Sequence, residues 1–128
     1  MGTISKLEHA TFQALAEPVA EARTYVQAQP AAYLDETGWR EGLQRAWLWT
    51  AVTAYVTVLV VRLSRRAKVA HELLGEHFWG YVVTDRWSAY TWYPTWRRQL
   101  CWAHRLRDIE AMVARGGRSQ EIGEALQV

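Results

Sequence analysis

The chain has 128 residues, half of them hydrophobic, with eight tryptophans and six tyrosines, so it is one domain at most and too rich in aromatic and aliphatic side chains to be disordered. No apolar run approaches the ~20 residues of a transmembrane helix, which excludes a membrane-spanning protein. The formal net charge of +2 divides into −2 over residues 1–60 and +4 over residues 61–128, and a basic C-terminal half fits either a polyanionic partner or an ordinary solvated surface.

The first thirty residues have the apolar period of an α-helix. Apolar side chains recur every three or four residues over 7–29 and form one stripe, made of Phe12, Leu15, Val19, Ala22 and Val26. Pro18 interrupts this stripe and fits best as the first residue of a second helix, and Pro30 closes the segment. Residues 1–30 are therefore predicted to be a helical N-terminal segment.

Three strand-like runs follow this segment. The run AAYLDETGW begins at Ala31 and is predicted to lead to Gly38, before a loop at EGLQ. Residues 45–53 and 55–63 are both rich in β-branched and aromatic residues, with Ala54 between them. They are predicted to form an antiparallel hairpin, although no Asn-Gly or Asp-Gly pair marks its turn.

Helices and short strands alternate in the second half of the chain. The helix after the fifth strand is expected to turn its apolar residues inward, namely Leu106, Ile109, Met112 and Val113. The predicted elements are a helix over 65–76 with Ser64 as its N-cap, a strand over 80–85, a short helix, a strand over 97–104, a helix from Arg105 to the Gly116-Gly117 pair, and a last helix from Ser119.

This order of elements predicts an α/β (α+β) fold with a mixed sheet. A helix followed by a strand that returns to the same sheet implies a right-handed crossover. Such a crossover brings the strand that carries Asp85 beside the strand that carries Asp35. The two carboxylates, fifty positions apart in the sequence, are therefore predicted to share one end of the sheet.

These two acids are the main candidates for chemistry in a chain with three aspartates. Two facing carboxylates repel each other unless a cation lies between them, and Mg²⁺ prefers such hard oxygen ligands. Two ions about 3.5–4 Å apart would then serve phosphodiester chemistry. Alternatively, Asp35 and Asp85 only cap turns, since acids at strand ends are common.

Several other side chains are candidates for roles near these acids. Glu36 is predicted to point to the opposite face from Asp35 and not to share its metal. Thr37 is a hydrogen-bond donor to a carboxylate or phosphate, or a turn residue. Cys101, the single cysteine, fits a reducing cytoplasm and a buried strand position better than a zinc site, because the C-x-x-H pair has no second pair nearby. His104 ends that strand, close to the aspartates or bonded to local backbone.

Basic residues cluster in the centre of the chain, at Arg62, Arg65, Arg66 and Lys68. Cations in the first turn of a helix oppose its dipole, so either a neighbouring acid or a bound polyanion is expected. Further positive charge surrounds the second aspartate, at Arg86, Arg97, Arg98, Arg105 and Arg107. Interleaved aromatic residues either stack on exposed bases or cover the sheet edge, and these are Trp87, Trp92, Tyr93 and Trp96.

Four sequence words, DETGW, WLW.AVT, LLGE.F.G..V.DRWSAY and RRQLCWAH.LRD, occur in this order over roughly residues 33–117. They resemble the catalytic core of DDE transposases of the insertion sequence sixty-six family. The resemblance implies a ribonuclease-H-like fold, Mg²⁺- or Mn²⁺-dependent cleavage of transposon DNA ends at a two-metal site, and joining of the freed 3′-hydroxyls to target DNA. By position, Asp35 matches the first catalytic acid and Asp85 the second, and His104 lies in a family motif with DNA phosphate or a carboxylate as its partner.

The resemblance also implies a feature that this chain does not show. The family's third acid, a glutamate, follows the CWAH segment after further helices, and no matching motif is present. The chain is therefore expected to be an incomplete transposase, weakly active or inactive, with a partial core over 31–117 and the start of a helical region over 118–128. The complete enzyme is expected to be a bacterial homo-oligomer, cytoplasmic and nucleoid-associated, with transposon ends and target DNA as partners. The alternatives are a non-catalytic DNA-binding remnant and a standalone ribonuclease-H-like nuclease with Asp108 or Glu110 as its third ligand.

Overall fold

The computed structural model describes residues 2–127. These residues form a mixed α/β fold, in which a five-stranded open sheet is combined with four α-helices. No helix within this range is both long and apolar enough to cross a lipid bilayer. The elements in chain order are α1 Thr3–Gln27, β1 Ala31–Glu41, β2 Gln44–Val52, β3 Thr57–Arg62, α2 Ala67–Leu74, β4 Tyr81–Thr84, β5 Arg98–Leu100, α3 Trp102–Ala114 and α4 Gly117–Leu126, with two 3₁₀ turns, Ser88–Tyr90 and Thr95–Arg97, between β4 and β5.

The strand order across the sheet is β3-β2-β1-β4-β5. The strands β1, β2 and β3 pair in antiparallel fashion, whereas β4 joins β1 in parallel and β5 joins β4 in parallel. The chain passes from β3 to β4 through α2. The strand β4 lies beside β1, on the side of β1 opposite to β2. The mixed sheet, the antiparallel first three strands and the order of strands and helices were all predicted from the sequence and are confirmed.

The strand β1 is longer than the sequence pattern indicates. Glu41 pairs with Gln44, so the expected loop at EGLQ narrows to Gly42 and Leu43. Gly42 has a φ of 59°, a left-handed conformation that favours glycine. Asp35 therefore lies within a strand instead of at its end, because the hairpin with β2 extends β1 beyond it.

Side chains along β1 alternate between the two faces of the sheet. Ala32, Leu34 and Glu36 are buried, whereas Tyr33 and Asp35 are exposed. The buried face lies against α2, and the opposite face is open to solvent near these residues. The residues that form the core on the covered face include Leu34, Trp49, Val60, Val69, Leu73, Leu74, Val82 and Tyr90.

The helix α1 is continuous, so the prediction of a second helix that begins at Pro18 is wrong. Pro18 lacks the N–H that would bond the carbonyl of Ala14. Both residues are exposed, and water can satisfy that carbonyl without ending the helix. The predicted apolar stripe packs at its C-terminal end, where Val26 is buried, whereas Phe12 is 74% exposed.

Two boundaries in the second half also differ from the prediction. The helix α2 begins at Ala67 with Arg66 as its N-cap, and the hydroxyl of Ser64 instead accepts a hydrogen bond of 3.2 Å from the Arg66 N–H. The strand β5 ends at Leu100, because its neighbour β4 ends at Thr84, directly opposite. A longer fifth strand would have no partner on that side of the sheet.

The helix α3 therefore starts earlier than expected, at Trp102. Cys101 is its N-cap instead of a buried strand residue, and His104 lies in its first turn instead of at a strand end. The expected inward face of this helix is wrong in part, because no residue of α3 is fully buried and Leu106 is 43% exposed. The helix packs mainly on α4, which leaves much of its apolar surface uncovered.

Gly80, which directly precedes β4, has no room for a side chain. A methyl group there would lie 2.7 Å from the carbonyl oxygens of Gln29 and Pro30. We expect Gly80→Ala to lower the free energy of unfolding by about 1–3 kcal/mol, because these backbone atoms must move apart. Urea unfolding measures this loss. The matched control is Gly38→Ala, whose methyl group meets no atom within 4 Å, and equal losses for both variants would contradict the prediction.

Candidate active site

The parallel pairing of β1 with β4 brings the segments that carry the two predicted acids side by side. Tyr33 lies opposite Val83 in the last pair of these strands. Asp35 and Asp85 each lie two residues further along the chain, and Asp35 is exposed on the face of β1 that carries Tyr33. Asp85 comes directly after the last residue of β4. The meeting of the two carboxylates at one end of the parallel pair stays a prediction.

Each of the two carboxylates uses one oxygen in a local hydrogen bond. Asp35 Oδ1 accepts from the backbone N–H of Glu36 at 2.9 Å, and Asp85 Oδ1 accepts from the backbone N–H of Trp87 at 2.9 Å. The second contact is the turn-capping role that was the alternative for Asp85. Within residues 2–127, the Oδ2 atom of each aspartate accepts no hydrogen bond, so one oxygen of each acid remains available to a cation.

His104 approaches the first aspartate from α3. Its Nε2 atom lies 3.9 Å from Asp35 Oδ1. The Cys101 thiol beside the imidazole raises the pKa of His104, and the negative charge of Asp35 raises it further, whereas burial lowers it. In turn, His104 lowers the pKa of Cys101. The pKa of His104 is thus raised next to the Asp35 carboxylate, and its steering of Asp35 stays a prediction.

A shallow cleft connects the second aspartate to α3, and its lining includes Asp85, Trp87, His104 and Asp108. Asp108 Oδ2 lies 2.8 Å from Arg86 Nη2, so this carboxylate is neutralised by an arginine of the same chain. Over the described residues, no three histidine, cysteine or acidic side chains are close enough to hold one metal ion. A standalone nuclease with Asp108 or Glu110 as third ligand, and a zinc site at the C-x-x-H pair, therefore gain no support.

Thr37 lies on the same strand and the same face as Asp35, two residues further along β1. It pairs with Leu48 of β2 and is exposed. Its hydroxyl makes no hydrogen bond to the part of the chain that the structure describes, so Thr37 remains a free donor on the open face. It is not a turn residue, because β1 continues to Glu41.

Sequence reasoning missed the environment of Glu36. This carboxylate points to the covered face, as predicted, but it is fully buried and makes strong contacts there. Arg65 donates to Glu36 Oε1 from Nε at 3.0 Å, and its Nη2 lies 2.9 Å from the same oxygen. The hydroxyl of Tyr90 donates to Glu36 Oε2. The sequence signal that could have revealed the burial of Glu36 is its position on β1, two residues from an apolar residue whose side chain points to the same face.

Burial acts in the same direction on the two acidic groups of this contact. It raises the pKa of Glu36 from 4.5, against the hydrogen bonds from Tyr90 and Arg65, which lower it. Burial also raises the pKa of Tyr90, and the Glu36 carboxylate raises it further. The phenol therefore stays protonated and remains the donor.

Most of the predicted DNA-binding cations make contacts within the chain. These contacts join Arg62 to Glu72, Arg65 to Glu36, Arg86 and Arg105 to Asp108, Arg97 to the Trp79 carbonyl, and Arg98 to Thr84 Oγ1 and the Asp85 carbonyl. The neighbouring acid expected for the central cluster is thus present for Arg62 and Arg65. Arg66 and Lys68 are exposed and form no ion pair with any described residue.

The aromatic residues of this region fall into two groups. Tyr93 is buried and Trp92 packs against the core, so neither ring is freely exposed to stack on a base. Trp87 and Trp96 are 39% and 64% exposed. Each of these tryptophans has an arginine guanidinium over its ring, 4.1 Å away for Trp87 and 4.6 Å away for Trp96. Part of each exposed ring is thereby covered by the same chain.

The whole sequence matches a known protein family. The sequence profile described as Transposase IS66 family matches residues 1–128, which includes both aspartates and the basic residues around them. Searches among curated proteins and among solved structures gave no match. The resemblance that four motifs carry over roughly 33–117 therefore extends over the full chain.

The buried carboxylate gives the protein a predictable pH dependence. The pKa of Glu36 is raised above 4.5 in the folded chain. Between pH 4.5 and this raised pKa, the native state therefore holds a proton that the unfolded state has lost. The free energy of unfolding should therefore fall as pH rises through this window. Glu36→Gln should remove this contribution, which urea unfolding between pH 4 and pH 8 measures as a smaller slope.

The control for this experiment is Glu72→Gln. The hydrogen bond from Arg62 lowers the pKa of Glu72 below 4.5, so its stabilising contribution is present above that pH and is lost as pH falls below it. Glu72→Gln should thus change the slope on the acidic side and leave the slope above 4.5 unchanged. An unaltered slope above this pH in Glu36→Gln would disprove the assignment.

Proposed function

Because the chain belongs to the IS66 family of transposases, we propose that it serves DNA transposition by phosphodiester cleavage and strand transfer at transposon ends. One observation supports this proposal most, namely that Asp35 and Asp85 each lie two residues beyond Tyr33 and Val83, the last pair of the adjacent parallel strands β1 and β4. Two acids on one face at one end of a parallel pair are suited to a shared divalent cation.

The chemistry of the donor set fits Mg²⁺ or Mn²⁺. Asp35 and Asp85 would hold the metal, since each has a carboxylate oxygen without a hydrogen bond to the described chain. When bound at a two-metal site, such ions activate the attacking oxygen and stabilise the leaving oxygen of a phosphodiester. His104 serves this site from α3, where its imidazolium orients the Asp35 carboxylate at 3.9 Å.

A ribonuclease-H-like fold is part of the proposal. The antiparallel β1, β2 and β3 followed by the parallel β4 and β5 support it, together with the acids on β1 and directly after β4. We divide the chain into the helical N-terminal segment 1–30, the core 31–117 and a C-terminal helical region 118–128. The complete enzyme is proposed to act on DNA as a homo-oligomer.

The exposed cations supply the DNA contact in this proposal. Arg66 and Lys68 are exposed at the start of α2, and neither is paired with an acid of the described chain. They are thus free to neutralise phosphates, and such contacts give binding that weakens as salt rises. The paired arginines contribute less, because a phosphate has to compete with their present partners.

A second candidate function is DNA binding without chemistry. It is favoured by the absence, within residues 2–127, of a third acidic side chain close enough to join Asp35 and Asp85 around a metal. Two ligands hold a divalent cation weakly, so we expect slow turnover or none by this chain alone. In this reading the fold and the basic surface retain a role, and the two aspartates do not.

Substitution of the two acids tests the metal site directly. We expect Asp35→Asn and Asp85→Asn each to weaken Mn²⁺ binding by about tenfold or more, because each removes a charged ligand. Titration followed by electron paramagnetic resonance measures the affinity. Circular dichroism should show an unchanged fold, since the Asp35 side chain is 56% exposed.

The matched control is Glu41→Gln, which removes an exposed acid at the far end of β1. It should leave Mn²⁺ binding unchanged. Unfolding of either aspartate variant would show that the acid is structural and would refute the site. DNA binding that survives both substitutions, with no Mg²⁺-dependent cleavage of end-containing DNA by the parent chain, would select the second candidate function.

A further inference from the structure

Arg65 is held on three sides by contacts that join distant parts of the chain. Its guanidinium makes the ion pair with the buried Glu36 at 2.9–3.0 Å. The same group lies over the ring of Trp47, 4.6 Å from the centroid, and over the ring of Trp87, 4.1 Å from the centroid. Arg45 covers Trp47 as well, at 4.9 Å. The result is a stack of alternating arginines and tryptophans that leads from β2 to the segment after β4.

Trp87 connects this stack to the second aspartate. Its indole N–H donates to the carbonyl of Arg65 at 3.4 Å, so the side chain contacts Arg65 twice. Its backbone N–H donates to Asp85 Oδ1 at 2.9 Å. These contacts connect the Asp85 carboxylate to Arg65 through Trp87.

Glu36 holds the other end of the same segment. The hydroxyl of Tyr90, in the 3₁₀ turn that follows Trp87, donates to Glu36 Oε2, while Arg65 occupies Oε1. Glu36 is the residue next to Asp35 on β1. One buried carboxylate thus joins the strand that carries the first acid to the segment that carries the second.

We infer that Glu36 and Arg65, through Trp87, are positioning residues that fix Asp85 against Asp35 for metal binding. This inference rests on the proposed function of the two aspartates. None of the three residues needs to touch the metal or the DNA. Of the three side chains, that of Glu36 is fully buried, so water does not compete for the hydrogen bonds that its carboxylate accepts.

The planar guanidinium is essential to this arrangement. An arginine lies over two indole rings with its planar face and donates to one carboxylate at the same time, whereas a lysine ammonium can pair with the carboxylate but has no planar face to stack. Metal sites are sensitive to such support, because loss of an outer partner typically weakens binding by about 10- to 100-fold. Arg65→Lys keeps the positive charge beside Glu36, so it removes the stack without leaving a buried charge unpaired.

The experiment compares Arg65→Lys with Arg40→Lys, the same change at an exposed position of β1 that makes no ion pair or stacking contact within the described chain. We expect Arg65→Lys to weaken Mn²⁺ binding about tenfold and Arg40→Lys to leave it unchanged. Thermal unfolding checks that both variants remain folded. Unchanged Mn²⁺ affinity in a folded Arg65→Lys would overturn the inference.

Trp87→Leu provides a second test, because it keeps the backbone N–H that bonds Asp85 and removes the indole ring. Its effect on Mn²⁺ affinity should match that of Arg65→Lys, and the double variant should be no weaker than either single variant, since both act through one contact. Additive losses would show that the two residues act separately and would refute the shared stack.

A readout without metal separates this inference from the proposed function. Hydrogen exchange of the Trp87 amide, followed by nuclear magnetic resonance, should be faster in Arg65→Lys than in the parent chain and in Arg40→Lys. If Mn²⁺ binding by the parent chain does not depend on Asp35, the proposed function fails. If the Trp87 amide exchanges at the same rate in all three proteins, the positioning role fails. Faster exchange would retain the positioning of Asp85 without its assignment to a metal.

Discussion

The parallel pairing of β4 with β1 is the constraint on which the rest of the site depends. It extends over three pairs of residues, from Ala31 opposite Tyr81 to Tyr33 opposite Val83. Such a short pairing is supported at both ends by contacts outside the strands. Tyr93 donates from its hydroxyl to the Gly80 carbonyl at 2.6 Å, and beyond β4 the Cys101 N–H donates to the Thr84 carbonyl at 2.7 Å. A shift by one residue would turn one aspartate to the covered face and separate the pair.

The two faces of β1 have different surroundings because successive side chains point in opposite directions. Asp35 lies on the face that is open to solvent, and Glu36 lies on the covered face. Burial of a charged carboxylate is unfavourable unless it is paired and hydrogen-bonded. Arg65 and Tyr90 provide both kinds of contact to Glu36, so adjacent acids on one strand differ in exposure and in partners.

Much of the fold follows from local patterns in the sequence. The β-branched and aromatic runs identified β2 and β3, and the helix between them and β4 identified the crossover that makes the sheet mixed. The wrong predictions concern the ends of helices and strands, which local patterns do not determine. Pro18 interrupts the apolar stripe but does not end α1, and the RRQLCWAH run becomes a three-residue strand and a helix because β4 ends at Thr84. The end of a strand depends on where its partner strand ends, and a short stretch of sequence does not show this.

The sequence by itself determined the strand that carries Asp35 and the strand that Asp85 follows, because strand propensity and element order are local properties. Tertiary structure alone decided the partners of the charged residues. Arg65 meets Glu36 across 29 positions and Tyr90 meets Glu36 across 54, so neither contact leaves a local signal. The same reason explains why most of the arginines that predicted a polyanionic partner make contacts within the chain, since a charge pattern shows which residues are present but not which residues they contact.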